Sequence, residues 1–339
     1  MRAVVNAALD TTAVPTPSDA AAVFHRGLSG YAPTPVHQLD AIASELGVAA
    51  VQVKDESSRF GLPAFKILGA SWAVERALRD EPAVHTLVAA SAGNHGRAVA
   101  HAAALRGLAC CVFLPERSLA VRRRAIAAEG AEVIVVDGTY EDAVDAAARA
   151  AGEHKTALIA DVGQRGPAEW VIDGYATLFS EAARQAIYDL ILVPVGVGSL
   201  AAAAARHGAH VGAHVIGIEP ATAACLSASL AQGVPTPVPT PGTTMAGLDC
   251  AEVSPAAWPS LRSGIAGTVT ISDDEADAAV HELSASGLTI GESGAAPLAG
   301  LRALQTDEDC RGLREHVAIN PQTRVLLIGS EGPTGTRAR

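Results

Sequence analysis

The chain has 339 residues, 49% hydrophobic, 18% charged and only 4% aromatic, with a formal net charge of −11. That length fills one large domain or two ordinary ones, and the acidic balance argues against a nucleic-acid partner, since the densest basic cluster is Arg122-Arg123-Arg124, read as a solvated helix face. Five cysteines without a CxxC pair fit neither a disulfide framework nor a zinc site, and neither a membrane-spanning apolar run nor a signal peptide is visible, so a soluble cytoplasmic protein with no membrane partner is expected.

In chain order, short β-branched runs at 51–53, 86–88, 111–114, 132–136, 190–193, 215–218 and 325–328 alternate with alanine-rich segments of helical spacing. That alternation predicts an α/β fold with two doubly wound, mainly parallel sheets. The units from 86 to 136, with a helix at 140–151, read as a smaller α/β domain, 81–187, inserted into a larger one built from 1–80 and 188–339. A ligand is expected in the cleft between the two. Residues 233–244, with four prolines and four threonines, read as a surface loop that orders on ligand binding, and 335–339 as a frayed end.

The chemically telling segments lie at the ends of these runs. An extended, charged stretch, Lys54-Asp55-Glu56-Ser57-Ser58-Arg59, leads into Ala64-Phe65-Lys66-Ile67-Leu68-Gly69-Ala70, and the apolar spacing from 67 to 78 puts Lys66 at a helix start. Helix-end positive charge and desolvation both disfavour an ammonium there and leave a neutral amine able to attack an aldehyde. The plainer alternative is an exposed lysine that opens an ordinary helix. Ser91-Ala92-Gly93-Asn94-His95-Gly96 follows the run at 86–88, where the Asn94 amide could donate to a phenolate oxygen or close an Asx turn on the next helix.

Val195-Gly196-Val197-Gly198-Ser199-Leu200 follows the run at 190–193 and precedes a helical segment at 200–207. A glycine turn before a helix N-terminus suits a phosphate, although a plain strand-to-helix turn has the same pattern; the GK[ST] ending of a P-loop is absent. After the last strand, Gly329-Ser330-Glu331-Gly332 offers a hydroxyl for a pyridine nitrogen, a neutral partner that favours elimination over transamination. His207, His210 and His214 are spaced like metal ligands, but glycines interrupt the helix that would gather them, so no metal is expected. Glu219-Pro220 reads as a turn at the cleft, and Glu292 of the Gly291-Glu292-Ser293-Gly294 motif is placed near the ligand ring.

Taken in order, the segments 64–70, 91–96 and 195–199 and the strand ending at Ser330 resemble the fold-type II pyridoxal-phosphate enzymes, the tryptophan synthase β-subunit superfamily. KDESSRFGLPAFKILGA (54–70), TTMAGLDC (243–250), SGLTIGESGAAPLAG (286–300) and INPQTRVLLIGSEGPTG (319–335) are similar to the diaminopropionate ammonia-lyase family. The resemblance implies pyridoxal 5'-phosphate held as a Schiff base by Lys66, with Asn94, Gly196, Val197, Gly198, Ser199 and Ser330 around it. Ser91, Ala92, Gly93 and His95 then border the substrate. It implies loss of the β substituent of a small L-α-amino acid, L-2,3-diaminopropionate to pyruvate and ammonia, with Asp161 exchanging a proton, in a homodimer. As a plainer alternative, Asp161 caps the segment beyond it.

Two positions depart from the family pattern. Ala92 stands where the lyase has an aspartate that serves the D-isomer, as in the L-specific serine and threonine dehydratases, and Gly163-Gln164-Arg165 replaces a stretch containing aromatics beside the substrate side chain. An L-serine or L-threonine dehydratase and a β-replacement synthase therefore stay open as alternatives. More remote is an amino-acid sensor that binds the cofactor without turnover.

Overall fold

Residues 2–333 are described by this computed structural model, and the end at 335–339 lies outside the described residues. Residues 1–65 supply β1 (Ala3–Val5), β2 (Val36–Gln38) and β3 (Ala50–Asp55). Residues 66–175 supply β4 (Thr86–Ala90), β5 (Ala109–Pro115), β6 (Glu132–Val136) and β7 (Thr156–Leu158). The rest supplies β8 (Leu190–Pro194), β9 (His214–Pro220), β10 (Gly267–Ile271) and β11 (Arg324–Gly329).

Contacts divide the chain into two compact units, Met1–Phe65 with Ala176–Arg339, and Lys66–Tyr175. The larger unit holds a seven-stranded sheet of order β1-β10-β9-β8-β11-β3-β2. Its strands from β10 to β3 run parallel, while β1 and β2 are antiparallel edges. Strands of a parallel sheet are covered on both faces and read as continuous apolar runs, as Leu190-Ile191-Leu192-Val193 and Val325-Leu326-Leu327-Ile328 do, all buried. The helix Glu292–Thr306 packs on this sheet with Ala295, Ala296, Leu298, Leu301 and Leu304 inward. The smaller unit holds a four-stranded sheet, β6-β5-β4-β7, parallel throughout.

The expected division, 1–80 and 188–339 against 81–187, differs from the observed one at both junctions. The helix Lys66–Asp80 packs against the helix Asn94–Arg106, and its Gly69 lies against Val171 and Tyr175 of the helix Pro167–Gln185. Those contacts draw the whole first helix and the first half of the last into the smaller unit. Residues 233–244 carry no helix or strand, in keeping with the irregular stretch read from the prolines.

The charged stretch before Lys66 is not solvated. Lys54, Glu56, Arg59 and Glu181 are each at most 1% exposed. The Arg59 guanidinium donates to both Glu181 carboxylate oxygens at 2.8 Å and to Glu56 Oε1 at 2.6 Å, while Lys54 Nζ donates to Glu181 Oε2 at 2.8 Å. Two cations thus meet two anions, and Thr34 Oγ1 and the Tyr31 hydroxyl donate to the remaining lone pairs. Burial opposes the charge on Glu181, yet Arg59 and Lys54 hold it down at about 2. With its folded pKa depressed, this carboxylate contributes stability above the ordinary carboxylate range and loses it as pH falls toward about 2. Arg59→Met, which strands two buried carboxylates, is expected to cost about 3–5 kcal/mol in urea unfolding. A change below about 1 kcal/mol would mean that the cluster is already compensated by water.

Candidate active site

Topology decides which loops meet. In the smaller unit the chain leaves β4 for β5 and β6, then returns to pair β7 on the other side of β4. Strand order therefore reverses between β4 and β7, and the carboxyl ends of strands at such a reversal are where open α/β sheets place ligands. The segment Ser91-Ala92-Gly93 leaves β4 there, and Ile159-Ala160-Asp161 leaves β7 beside it, with the Ile159 N–H donating to the Val88 carbonyl at 2.9 Å. Gly93 is the N-cap of the helix Asn94–Arg106, so Asn94 is the helix's first residue and not its cap. A Cβ on Gly96 would collide with the Ser91 carbonyl oxygen, so glycine lets that first turn close over the loop.

Lys66 opens the helix Lys66–Asp80, as its sequence context predicts, and its Nζ donates to Asp161 Oδ2 at 3.0 Å. The two side chains are 22% and 18% exposed, a partly accessible amine held by a carboxylate. Burial pushes Asp161 up, but the neighbouring His95 and Lys66 outweigh it and hold the carboxyl far below the usual range, so it stays ionised. Asp161 is thus a partner of Lys66 and not a mere cap.

His95, expected to border the substrate, has its ring buried beneath the loop. Nε2 lies 2.9 Å from the Ile159 carbonyl oxygen, and Nδ1 lies 3.8 Å from Asp161 Oδ2. Sequence reasoning missed Tyr175. Its ring packs on Gly69, one turn beyond Lys66, and burial pushes its phenol up to about 12 while Lys66 pulls the other way, so a neutral hydroxyl stands near the Lys66 amine. A tyrosine among the apolar residues of a helix carries no signal of such a role.

The larger unit repeats the topological argument. From β8 the chain moves outward through β9 and β10, whereas β11 and β3 lie on the other side of β8, so the reversal falls between β8 and β11. Beyond β8, Val195-Gly196-Val197-Gly198 turns into the helix Ser199–Val211, with N-cap Gly198 at φ 89°, a left-handed conformation that glycine adopts without strain. The first N–H groups of this helix have no intrahelical acceptor and lie at its positive end, which suits a phosphate.

Beyond β11, Ser330 is 3% exposed. Its carbonyl accepts the Phe65 N–H at 3.3 Å, and the Gly332 N–H donates to the Pro63 carbonyl at 2.9 Å, so the residue just before Lys66 is stitched to Ser330. The segments 243–250 and 286–300 also meet the end of β11 here. The Gly247 N–H donates to Ser293 Oγ at 3.2 Å, the Gly291 N–H donates to the Glu331 carbonyl at 2.9 Å, and Glu292 is the first residue of the helix Glu292–Thr306.

Other singled-out residues serve the framework. The Glu219 carboxylate accepts the Leu226 and Ser227 N–H groups at 2.7 and 2.8 Å, so it caps the helix Cys225–Gln232, and burial raises it to about 7. The buried His207 ring stacks on Phe179, with Nε2 2.7 Å from the Tyr188 hydroxyl, and burial lowers its pKa to about 4. Among the described residues, no group of three His, Cys, Asp or Glu side chains converges as a metal ion would need.

The smaller unit offers a partly accessible amine, and the larger unit a helix N-terminus suited to a phosphate and a buried hydroxyl at a strand end, which are the donor types that pyridoxal 5'-phosphate takes. The family model for the pyridoxal-phosphate dependent enzymes matches residues 28–321. The chain is 32% identical over 349 aligned residues to the diaminopropionate ammonia-lyase of Escherichia coli (strain K12), covering 93% of this chain and 88% of that one. It is 33% identical over 354 residues to the diaminopropionate ammonia-lyase of Salmonella typhimurium, covering 92% and 88%. The crystal structure of the Escherichia coli enzyme in complex with an aminoacrylate-PLP azomethine reaction intermediate matches with a TM-score of 0.89 at 32% identity, covering 98% of this chain and 94% of that one. The chain belongs to the pyridoxal-phosphate dependent enzymes and, within them, to the diaminopropionate ammonia-lyase family.

Proposed function

We propose that the protein is a pyridoxal-phosphate dependent ammonia-lyase that converts L-2,3-diaminopropionate and water to pyruvate and ammonia. The observation that carries this reading is the Lys66–Asp161 pair, 3.0 Å apart at the strand reversal, in a chain similar to lyases named for this substrate. Lys66 would hold the cofactor's aldehyde carbon, Asn94 its phenolic oxygen and Ser330 its ring nitrogen. Gly196, Val197, Gly198 and Ser199 would hold its phosphate. When bound, the cofactor supplies the electron sink for charge that develops at Cα.

The chain's own groups handle the protons. The Lys66 amine takes the proton from Cα, and the pair it leaves behind becomes the bond between Cα and Cβ. The bond from Cβ to nitrogen breaks with its electrons on nitrogen, which departs as ammonia. Asp161 orients Lys66 and accepts the proton it has gathered, then returns it toward the departing nitrogen. The loop residues Ser91, Ala92, Gly93 and the buried His95 would border the substrate. Ala92 presents a methyl group that exchanges no proton, so turnover is confined to the L-isomer.

We place the protein in the cytoplasm as a homodimer. Its five cysteines are free, and Cys110, Cys225 and Cys310 are buried, which suits a reducing compartment. The dimer rests on the family resemblance alone.

The reading is tested by offering the cofactor-loaded protein L- and D-2,3-diaminopropionate, L-serine and L-threonine, and measuring pyruvate, or 2-oxobutyrate for threonine. Pyruvate from L-diaminopropionate, well above the other substrates, is the expected result. Ala92 favours a second reading, an L-serine or L-threonine dehydratase, and turnover of those two alone would establish it instead.

A further inference from the structure

From Gly233 to Ala257 the chain carries no helix or strand, and irregular stretches of that length inside a compact unit are ordinarily functional. The middle of this one is firmly anchored. Met245 is 0% exposed and Leu248 5%, both packed into the core of the larger unit, and the Gly247 N–H donates to Ser293 Oγ at 3.2 Å.

What the segment covers is the turn Val195-Gly196-Val197-Gly198. A Cβ at Gly196 would come within 2.8 Å of the Gly247 carbonyl oxygen and 3.4 Å of Leu248 Cα, so the two backbones lie against each other with no room for a side chain. Farther along, the Ser254 N–H donates to the Val197 carbonyl at 2.8 Å. Two glycines make a turn pliable, and support from outside is what restricts it to one conformation.

The upstream end of the segment is held by one carboxylate. Asp273 is the first residue of the helix Asp273–Ala285; it accepts the Thr243 hydroxyl on Oδ1 and the Thr244 N–H on Oδ2 at 3.0 Å. Thr243 Oγ1 in turn accepts the Met245 N–H at 3.1 Å. The helix has its own cap, a complete capping box between Ser272 and Glu275, so both Asp273 carboxylate oxygens serve the segment. Their charge sits at the positive end of the helix, where a carboxylate is favoured and its hydrogen bonds are charge-assisted.

We propose that Asp273 is a positioning residue for the cofactor: it latches residues 243–250 over the turn and so keeps Gly196 to Gly198 in the form that holds the phosphate. The inference rests on the reading above that this turn takes the cofactor's phosphate.

The test is release of the cofactor from the holoenzyme into an excess of scavenging apoenzyme, followed by loss of visible absorption. Asp273→Ala removes the latch, and Thr243→Val removes its hydroxyl donor while leaving the helix untouched. In both, pyridoxal 5'-phosphate is expected to leave about tenfold faster, as the loss of a charge-assisted hydrogen bond implies. Thr243→Ser, which keeps the hydroxyl, is expected to behave as the parent does. Pyridoxal, which has the aldehyde and no phosphate, is expected to leave the variants as fast as it leaves the parent, because the latch acts only through the phosphate turn.

Parent-like release of pyridoxal 5'-phosphate from Thr243→Val, or an equal acceleration of both compounds, overturns the proposal. A parent that releases both compounds alike overturns the phosphate assignment and the latch with it, so the two failures read differently. No readout requires turnover, and the choice of amino-acid substrate does not enter.

Discussion

Lys66→Ala is expected to lower pyruvate release by a thousandfold or more, about the combined loss of a covalent anchor and a proton acceptor, and to remove the visible absorption of lysine-linked cofactor. The fold is expected to survive, because the Lys66 side chain is 22% exposed and its removal opens no core cavity. The phosphate turn and Ser330 do not depend on its side chain, so the variant should still take up cofactor without linking to it. Turnover at the parent's rate would remove Lys66 from the mechanism, and with it the reason for its position at the end of Ala64-Phe65, stitched to Ser330 and Glu331 by backbone pairing.

Asp161→Asn is expected to lower kcat by about 10² to 10⁴ while KM moves little, since the change keeps shape and removes only charge and proton. Lys66 and His95 both face Asp161 Oδ2, at 3.0 and 3.8 Å, and lose their common counter-charge in this variant. Burial would raise the carboxyl's pKa, but those neighbours outweigh it and hold it far below its usual range, so in the parent it stands as the ionised partner of Lys66. A variant with intact kcat would show that Asp161 only shapes the loop. A rise in KM with unchanged kcat would make it a binding residue.

Much of this architecture is legible in the residues. Buried parallel strands such as 190–193 and 325–328 are unbroken apolar runs, and Lys66 is marked as a helix start by the apolar spacing behind it. Motifs that follow a run directly, at 91–96, 195–199 and 329–332, could be assigned to strand ends from sequence alone. Pairing order could not. Nothing local in the sequence says that β7 returns to the far side of β4, and β7 itself has three residues, too few to show alternation. Asp161 follows that short strand, so resemblance singled it out and periodicity did not.

β1 and β2 were missed for the same reason of length. The domain junctions were placed late because helix packing around Gly69 and Tyr175, not a composition change, sets them. Side-chain direction was the least legible feature. The resemblance puts His95 at the substrate border, and nothing in the sequence says that its ring is buried against Ile159.

The most direct test of the account is the ratio of ammonia to pyruvate released by the cofactor-loaded protein from pure L-2,3-diaminopropionate. Removal of the β-amino group followed by hydrolysis of the product predicts twice as much ammonia as pyruvate, and neither product from the D-isomer. Absence of pyruvate, a β-substituted amino acid formed only when a nucleophile is added, or pyruvate from L-serine alone, would contradict it.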